Sequence, residues 1–214
     1  MATKLSLYNG ALRVLKERGL ASLAERQESC RLLDAVWDDS PTGDGAVKFC
    51  LQMGQWTFAT RTIRLDYTPS VEPEFGPRYA FEQPADMVRV VGIYADEHCT
   101  QPLLSYRDER HYWYADQQTI YASFVSNDID YGADLSLWPE TFGKLVEAYL
   151  AKEIAGNLTQ GENRIIMADR AWDKAKLEAR SLDAANKPTA FPPPGTWNLS
   201  RNARTNRSRW DGRY

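Results

Sequence analysis

The sequence predicts an α+β protein: a mainly helical bundle formed by both ends of the chain, an inserted small antiparallel β subdomain, and an extended C-terminal arm. Three observations lead there. Apolar residues recur at helical spacing before residue 58 and after residue 136. Between those limits the period shortens to that of strands, and turn residues separate the short runs. After residue 186 the chain turns to proline, then to arginine, asparagine and serine, a composition that buries too little surface to fold alone. The divisions are therefore 1–58 with 136–186 for the bundle, 59–135 for the insertion, and 187–214 for the basic arm.

The stretch 137–155 organises the rest. Phe142, Leu145, Val146, Tyr149, Leu150 and Ile154 form one stripe of a 3.6-residue helix, with Lys144, Lys152 and Glu153 off it. Pro139 suits the first turn, Glu140 faces the positive end of the helix dipole, and Gly156-Asn157 is expected to close the helix. Such a stripe requires apolar partners, and both flanks of the chain supply them.

From the N-terminus, a helix is expected over 5–18, with Leu5, Tyr8, Leu12 and Leu15 on one face and Gly19 as its stop. Residues 21–24 link it to a second helix over 25–38, whose apolar side carries Leu32, Leu33, Val36 and Trp37. The run 40–45 is a breaker, after which 46–56 resumes helical spacing through Val47, Phe49, Cys50, Met53 and Trp56. Two helices, or one long helix interrupted by a bulge, satisfy this pattern equally. Strands are expected at 60–65, 78–82, 87–94, 103–106, 111–115 and 119–125. Turns fall at 83–86 and 116–118, with a proline-rich loop at 68–77 and a polar loop at 127–134. A last helix over 163–185 carries Ile166, Met167, Ala171, Ala175, Leu182 and Ala185 at helical spacing.

Composition bounds the function. A hydrophobic content of 43% and a charged content of 26% suit one globular core. No apolar run approaches the roughly 18 residues of a membrane span, and no signal-peptide pattern opens the chain, so synthesis in the cytosol and no membrane contact are expected. Cys30, Cys50 and Cys99 are too few and too scattered for a disulfide framework, and Cys30 and Cys50 should pack as small hydrophobes. The net charge of −3 is unevenly spread: residues 186–214 carry +5 and the remainder −8.

Little in the pattern points to catalysis, a metal or a cofactor. His98-Cys99 has no second ligand pair at zinc spacing and reads as a polar turn. Asn127, Asp128, Asp130 and Asp134 bunch acceptors without the spacing of a calcium loop, so a solvated loop capping the next helix is the expectation. A metal-dependent hydrolase built on that loop would need a second carboxylate cluster. Arg107, Asp108, Glu109 and Arg110 read as a hairpin tip of self-compensating charge. Tyr106, Tyr112, Trp113, Tyr114, Tyr121, Phe124 and Tyr131 crowd the insertion, either as a two-layered aromatic core or as an interface. In the arm, Phe191, Trp197 and Trp210 stand among Arg201, Arg204, Arg207 and Arg209. Those residues suit an arm that orders on a protein neighbour, or one that contacts a nucleic-acid backbone.

Several segments then align with one family. They are Leu7-Tyr8-Asn9-Gly10-Ala11-Leu12, Arg31-Leu32-Leu33-Asp34 and Gly54-Gln55-Trp56-Thr57-Phe58-Ala59. To these add Phe81, Pro84, Asp86 and Arg89, then Leu137-Trp138-Pro139-Glu140 with Phe142, and Lys174-Ala175. Through their order and spacing, over nearly all of 1–190, the chain resembles the head-to-tail adaptor proteins of tailed bacteriophages, the group that includes tail tubular protein A. The breaker at 40–45 departs from that family's uninterrupted second helix. The resemblance implies a non-enzymatic virion structural protein at the neck between capsid and tail, made in the host cytoplasm. It also implies a homo-oligomeric ring of about twelve copies. Such a ring binds the portal protein on one side and a tail or nozzle protein on the other, while genomic DNA passes through its lumen without specific binding. The arm residues above would contact the portal or a neighbouring subunit. Glu72, Phe75, Arg107, Asp108, Glu109 and Arg110 would lie on tail-facing loops. The alternative is a nucleic-acid-binding packaging or regulatory protein with a basic arm.

Overall fold

A computed structural model describes residues 2–38, 45–158 and 161–187. Among these residues, five α-helices and two three-stranded antiparallel sheets give the mixed α+β class that the sequence predicts. The helices are α1 (Lys4–Val14), α2 (Glu28–Trp37), α3 (Ala46–Gln52), α4 (Glu140–Leu158) and α5 (Glu162–Asn186). The strands are β1 (Thr60–Asp66), β2 (Tyr79–Glu82), β3 (Met87–Tyr94), β4 (Arg107–Glu109), β5 (Tyr112–Ala115) and β6 (Thr119–Ser126).

Ten of the nineteen residues of α4 are buried, so the helix is covered over more than half its circumference rather than along one stripe. The sequence stripe missed Gly143, Ala148, Ala151 and Ala155, which are also buried. Small residues flanking the large ones let α1, α2, α3 and α5 all approach the same helix. Phe142 is the hub of its first turns: Trp138, Trp56 and Phe58 present rings at 4.8, 5.0 and 4.9 Å, each near edge-on. The Trp138 indole donates to the Gly132 carbonyl at 2.9 Å and the Trp56 indole to the Cys50 carbonyl at 3.0 Å, so neither buries an unpaired N–H. Pro139 precedes the helix, and its carbonyl accepts from the Phe142 and Gly143 N–H groups. Gly156 does not end α4, which continues to Leu158.

α1 begins at a capping box, with Thr3 Oγ1 accepting from the Ser6 N–H at 3.2 Å and Ser6 Oγ accepting from the Thr3 N–H at 2.9 Å. It ends four residues earlier than expected, at Val14, because Lys16 takes a left-handed backbone (φ 58°) that terminates the helix without glycine. Asn9 then pins the returning chain, bonding both the N–H and the carbonyl of Leu20. Ser22 organises a turn over 22–25 within the link. The open question at 38–46 resolves as two helices, α2 and α3. α3 stops at Gln52, before Trp56, and arginines from distant elements cap its carbonyl end. Arg89 donates to the Gln52 carbonyl at 3.0 Å, and Arg180 donates to the Met53 carbonyl through Nε at 2.8 Å and again through Nη2.

Tyr8 lies fully buried with its hydroxyl donating to Asp34 at 2.7 Å, and the Lys4 ammonium stands 2.9 Å from the same carboxylate oxygen. Burial works against the Asp34 charge, but the bonds from Lys4 and Tyr8 outweigh it and hold its pKa below the usual carboxylate value. Burial and Asp34 together push the Tyr8 phenol up.

The face that α5 turns inward matches the expected one only at Ala171 and Ala175, which pack partly buried against the core. Ala168, Trp172 and Ala179 are buried, while Ile166, Met167 and Leu182 are exposed. Trp172 selects that face by packing on Tyr149 at 5.4 Å and Phe49 at 6.3 Å. The last turn docks through Asp183, which accepts from the N–H and the hydroxyl of Thr57 at 2.9 and 2.8 Å.

Sheet order is β1-β6-β3 in one sheet and β2-β5-β4 in the other. β6 is buried on both faces: Val125 joins the helical core, while Ile120, Ala122 and Phe124 face a second core with Phe81, Ile93, Trp113 and Ala115. The expected strand at 103–106 does not form. The chain makes one bridge, Tyr94 to Pro102, and strand structure begins at Arg107. Among the crowded aromatics, Trp113 and Phe124 are fully buried, and Tyr106, Tyr112, Tyr114, Tyr121 and Tyr131 are half-buried.

Two glycines respond oppositely to alanine. A Cβ on Gly132 would collide with the Ser126 carbonyl and the Leu51 side chain, so Gly132→Ala costs about 1–3 kcal/mol. Gly156 is helical with nothing within 4 Å of such a Cβ, so Gly156→Ala stabilises by about 0.5–1 kcal/mol. Denaturant melts of the two variants check both signs. Asp34→Asn removes the charge that Lys4 and Tyr8 engage and costs about 1 kcal/mol at neutral pH, discounted for partial exposure. The folded pKa is depressed, so this contribution is complete above the unfolded carboxylate value near ~3.9 and disappears as pH falls through the folded one. The stability gap between wild type and variant, measured from pH 7 down to pH ~2.5, should therefore close at the acid end.

Candidate interaction site

Loop 68–78 and the β4–β5 hairpin build one cleft. Pro69, Pro73 and Pro77 keep the loop out of a ladder, and Gly76 takes φ 89°, a conformation that side chains resist. The loop is held at both ends. The Thr68 N–H donates to the Ala80 carbonyl at 2.7 Å, and the Arg78 N–H donates to Asp116 at 3.2 Å. Opposite it, Glu109 pairs with Tyr112 across a two-residue turn, Arg110-His111, whose first residue has φ 54°. The hairpin tip is thus Arg110-His111. Arg107, Asp108 and Glu109, expected at the tip, instead form the exposed edge strand β4.

Glu72, Pro73, Glu74, Phe75, Arg107, Glu109 and Tyr114 line a cleft of about 330 Å³. The Arg107 guanidinium lies over Gly76, where an added Cβ would sit 3.1 Å from Nη1. Phe75 is 83% exposed, an apolar ring left in water within a rim of three glutamates and one arginine. Of the residues expected on these loops, Glu72, Phe75, Arg107 and Glu109 come together. Asp108 turns away to accept from Gln83 Nε2 at 2.7 Å, and Arg110 stays at the turn. Sequence reasoning missed Glu74 and named Tyr114 only among the crowded aromatics, not with this cleft. Tyr114 is two residues beyond Tyr112 on β5 and shares its face, which strand alternation alone would have indicated.

The acceptor-rich loop 127–134 is occupied from within. Arg61 Nη1 lies 3.0 Å from Asp86 and 3.4 Å from Asp128, and its guanidinium covers the Tyr131 ring at 5.4 Å. Ser126, fully buried, donates to Asp86 at 2.5 Å and accepts from the Asp128 N–H at 3.0 Å. Asp134 accepts from the Ser136 N–H at 2.8 Å. His98 and Cys99 lie in a turn built on Asp96, whose pKa the Thr100 hydroxyl and the Gln101 N–H hold down to about 2. Among the described residues no group of three or more His, Cys, Asp or Glu side chains is placed to hold a metal. Nor is any helix there long and apolar enough to cross a membrane.

A second cavity of about 460 Å³ lies where α1 meets the start of α4, lined by Arg13, Trp138, Glu140, Lys144 and Glu147 among others. Burial raises the pKa of Glu147, whose carboxylate fills the space where Gly10 lacks a side chain. The arm residues Phe191, Trp197, Arg201, Arg204, Arg207, Arg209 and Trp210 lie outside the described residues.

No protein-family model matches the chain, and no curated protein matches it.

Gly76→Ala forces a side chain into a left-handed backbone and against Arg107, so it should displace that guanidinium at a cost of about 1–2 kcal/mol. The displacement is read from Arg107 side-chain NMR shifts, with a thermal melt giving the cost.

Proposed function

We propose that the chain is a virion structural protein, a head-to-tail adaptor subunit that joins a portal to a tail or nozzle protein. The observation that carries the reading is the Phe75 cleft: an exposed aromatic ring beside a cleft with a charged rim offers area that a protein partner could bury. In this reading the helices from both ends of the chain make one bundle, the β region is an insertion whose loops meet the tail, and 187–214 is an extended arm. The subunits assemble as a ring of about twelve around the DNA channel. The family resemblance of the motifs supports that assignment. So does the charge distribution, because an acidic body of −8 lines a channel without gripping DNA, while the +5 segment is left to seek a partner.

The arm then supplies the portal-side or neighbour contact, gaining affinity from tethered contact area. Removing 188–214 should abolish attachment to portal rings in electron micrographs of the mixture, with far-UV circular dichroism unchanged. Retained attachment would remove the arm from that role. Phe75→Asp together with Arg107→Glu should block tail joining and leave portal joining intact. The basic segment also supports a second reading, a DNA-binding packaging or regulatory protein. Strong, steeply salt-dependent DNA retention by the full chain would favour that reading over the adaptor.

A further inference from the structure

A surface cavity of about 320 Å³ opens where the end of α3 meets β3 and the last turns of α5. Among the described residues, the charged side chains on its wall are Arg89 from β3, Arg180 and Asp183 from α5, and Lys187, which caps α5. The Gln52 and Met53 carbonyls hold the two guanidiniums, using one N–H of Arg89 and two of Arg180. Each guanidinium carries about five such donors, so most stay unspent. A carbonyl orients a guanidinium without cancelling its charge, and the dipole of α3 offsets at most about half a charge. Among the described residues neither arginine pairs with a carboxylate. Asp183 is spent on Thr57, and Lys187 stands 4.0 Å from it, a loose pairing. Three cations thus face one carboxylate, a local charge of +2 in a chain of net charge −3. The turn after α3 is fixed, because Gly54 lies so close to the Trp56 ring that an added Cβ would fall 2.8 Å from it, and the indole is bonded to Cys50. Both guanidiniums are therefore set in place before any ligand arrives.

The geometry points to a binding site for a phosphate group, free or as a monoester, with Arg89, Arg180 and Lys187 as its ligands. Cations that reach one cavity from β3 and from the end of α5 call for acceptor oxygens that point in several directions. A tetrahedral phosphate supplies them. A carboxylate, with two oxygens in one plane, satisfies a single guanidinium fork and leaves the other cations unmet. Charge selects further: a monoester carries about −1.5 to −2 at neutral pH and matches the local +2. A phosphodiester carries one charge and has two of its oxygens blocked by carbon, so a nucleic-acid backbone fits less well. The site therefore takes a phosphate without gripping passing DNA, and it stands whether or not the chain is an adaptor.

Titrating the full chain with inorganic phosphate at constant ionic strength tests it, read from the Nε–Hε NMR signals of Arg89 and Arg180. Both should shift together and saturate with a dissociation constant on the order of 1 mM. Arg180→Gln should weaken binding by about tenfold, and Lys187→Gln, which leaves the α3 carbonyls capped, by about threefold. Dimethyl phosphate and acetate should each bind about tenfold more weakly than phosphate. A nucleoside monophosphate that binds tighter than inorganic phosphate makes the ligand an ester, and equal binding makes it the free ion; both results uphold the site. The inference is overturned if the signals do not saturate, if chloride reproduces the shifts, or if acetate binds as well as phosphate. Unchanged affinity in Lys187→Gln, whose fold does not depend on the substituted group, overturns it as well.

Discussion

The structure depends on keeping α4 out of water. With ten of its residues buried, this helix has no stable existence apart from the elements that cover it. Phe142 concentrates that dependence, because the rings around it come from the loop before α4 and from the segment that leads into β1. One aromatic contact set therefore ties the late helix to the early chain and fixes where the first strand begins. The arginines at the end of α3 act at the same junction, since Arg89 belongs to β3 and Arg180 to α5.

β6 carries that order outward. Its two buried faces bind the helical core on one side and the second core on the other, so the sheets cannot shift independently of the helices. Arg61 locks the rim of this arrangement by joining β1 to the turn before β3 and to the loop after β6. Of the carboxylates that looked available for a cation, Asp128 is held by this guanidinium and Asp134 by the Ser136 N–H. On that frame the short β4–β5 hairpin and loop 68–78 meet in fixed register, which brings Phe75 and Arg107 to one cleft from positions over thirty residues apart. The exposed ring stays in water because its loop is tied down at Thr68 and Arg78 and cannot fold back over it.

The element types were legible in the sequence: helical spacing at both ends, strand spacing between, and most turns, because periodicity and turn chemistry are local. Its stripe on α4 was correct as far as it went, but periodicity marks large apolar residues and passes over the small ones that admit neighbouring helices. The boundaries moved wherever a distant partner decided them. Lys16, not Gly19, ended α1, and Arg89 and Arg180 secured the end of α3 well before Trp56. Tertiary packing settled which face of α5 turns inward, since Ile166 and Trp172 both satisfy a helical pattern and the Phe49 and Tyr149 rings accommodate the indole. It alone brought Glu72, Phe75, Arg107 and Glu109 together, set Asp108 apart, and gave the acidic loop to Arg61. Those outcomes rest on contacts between residues far apart in the chain, and a local pattern carries no record of them.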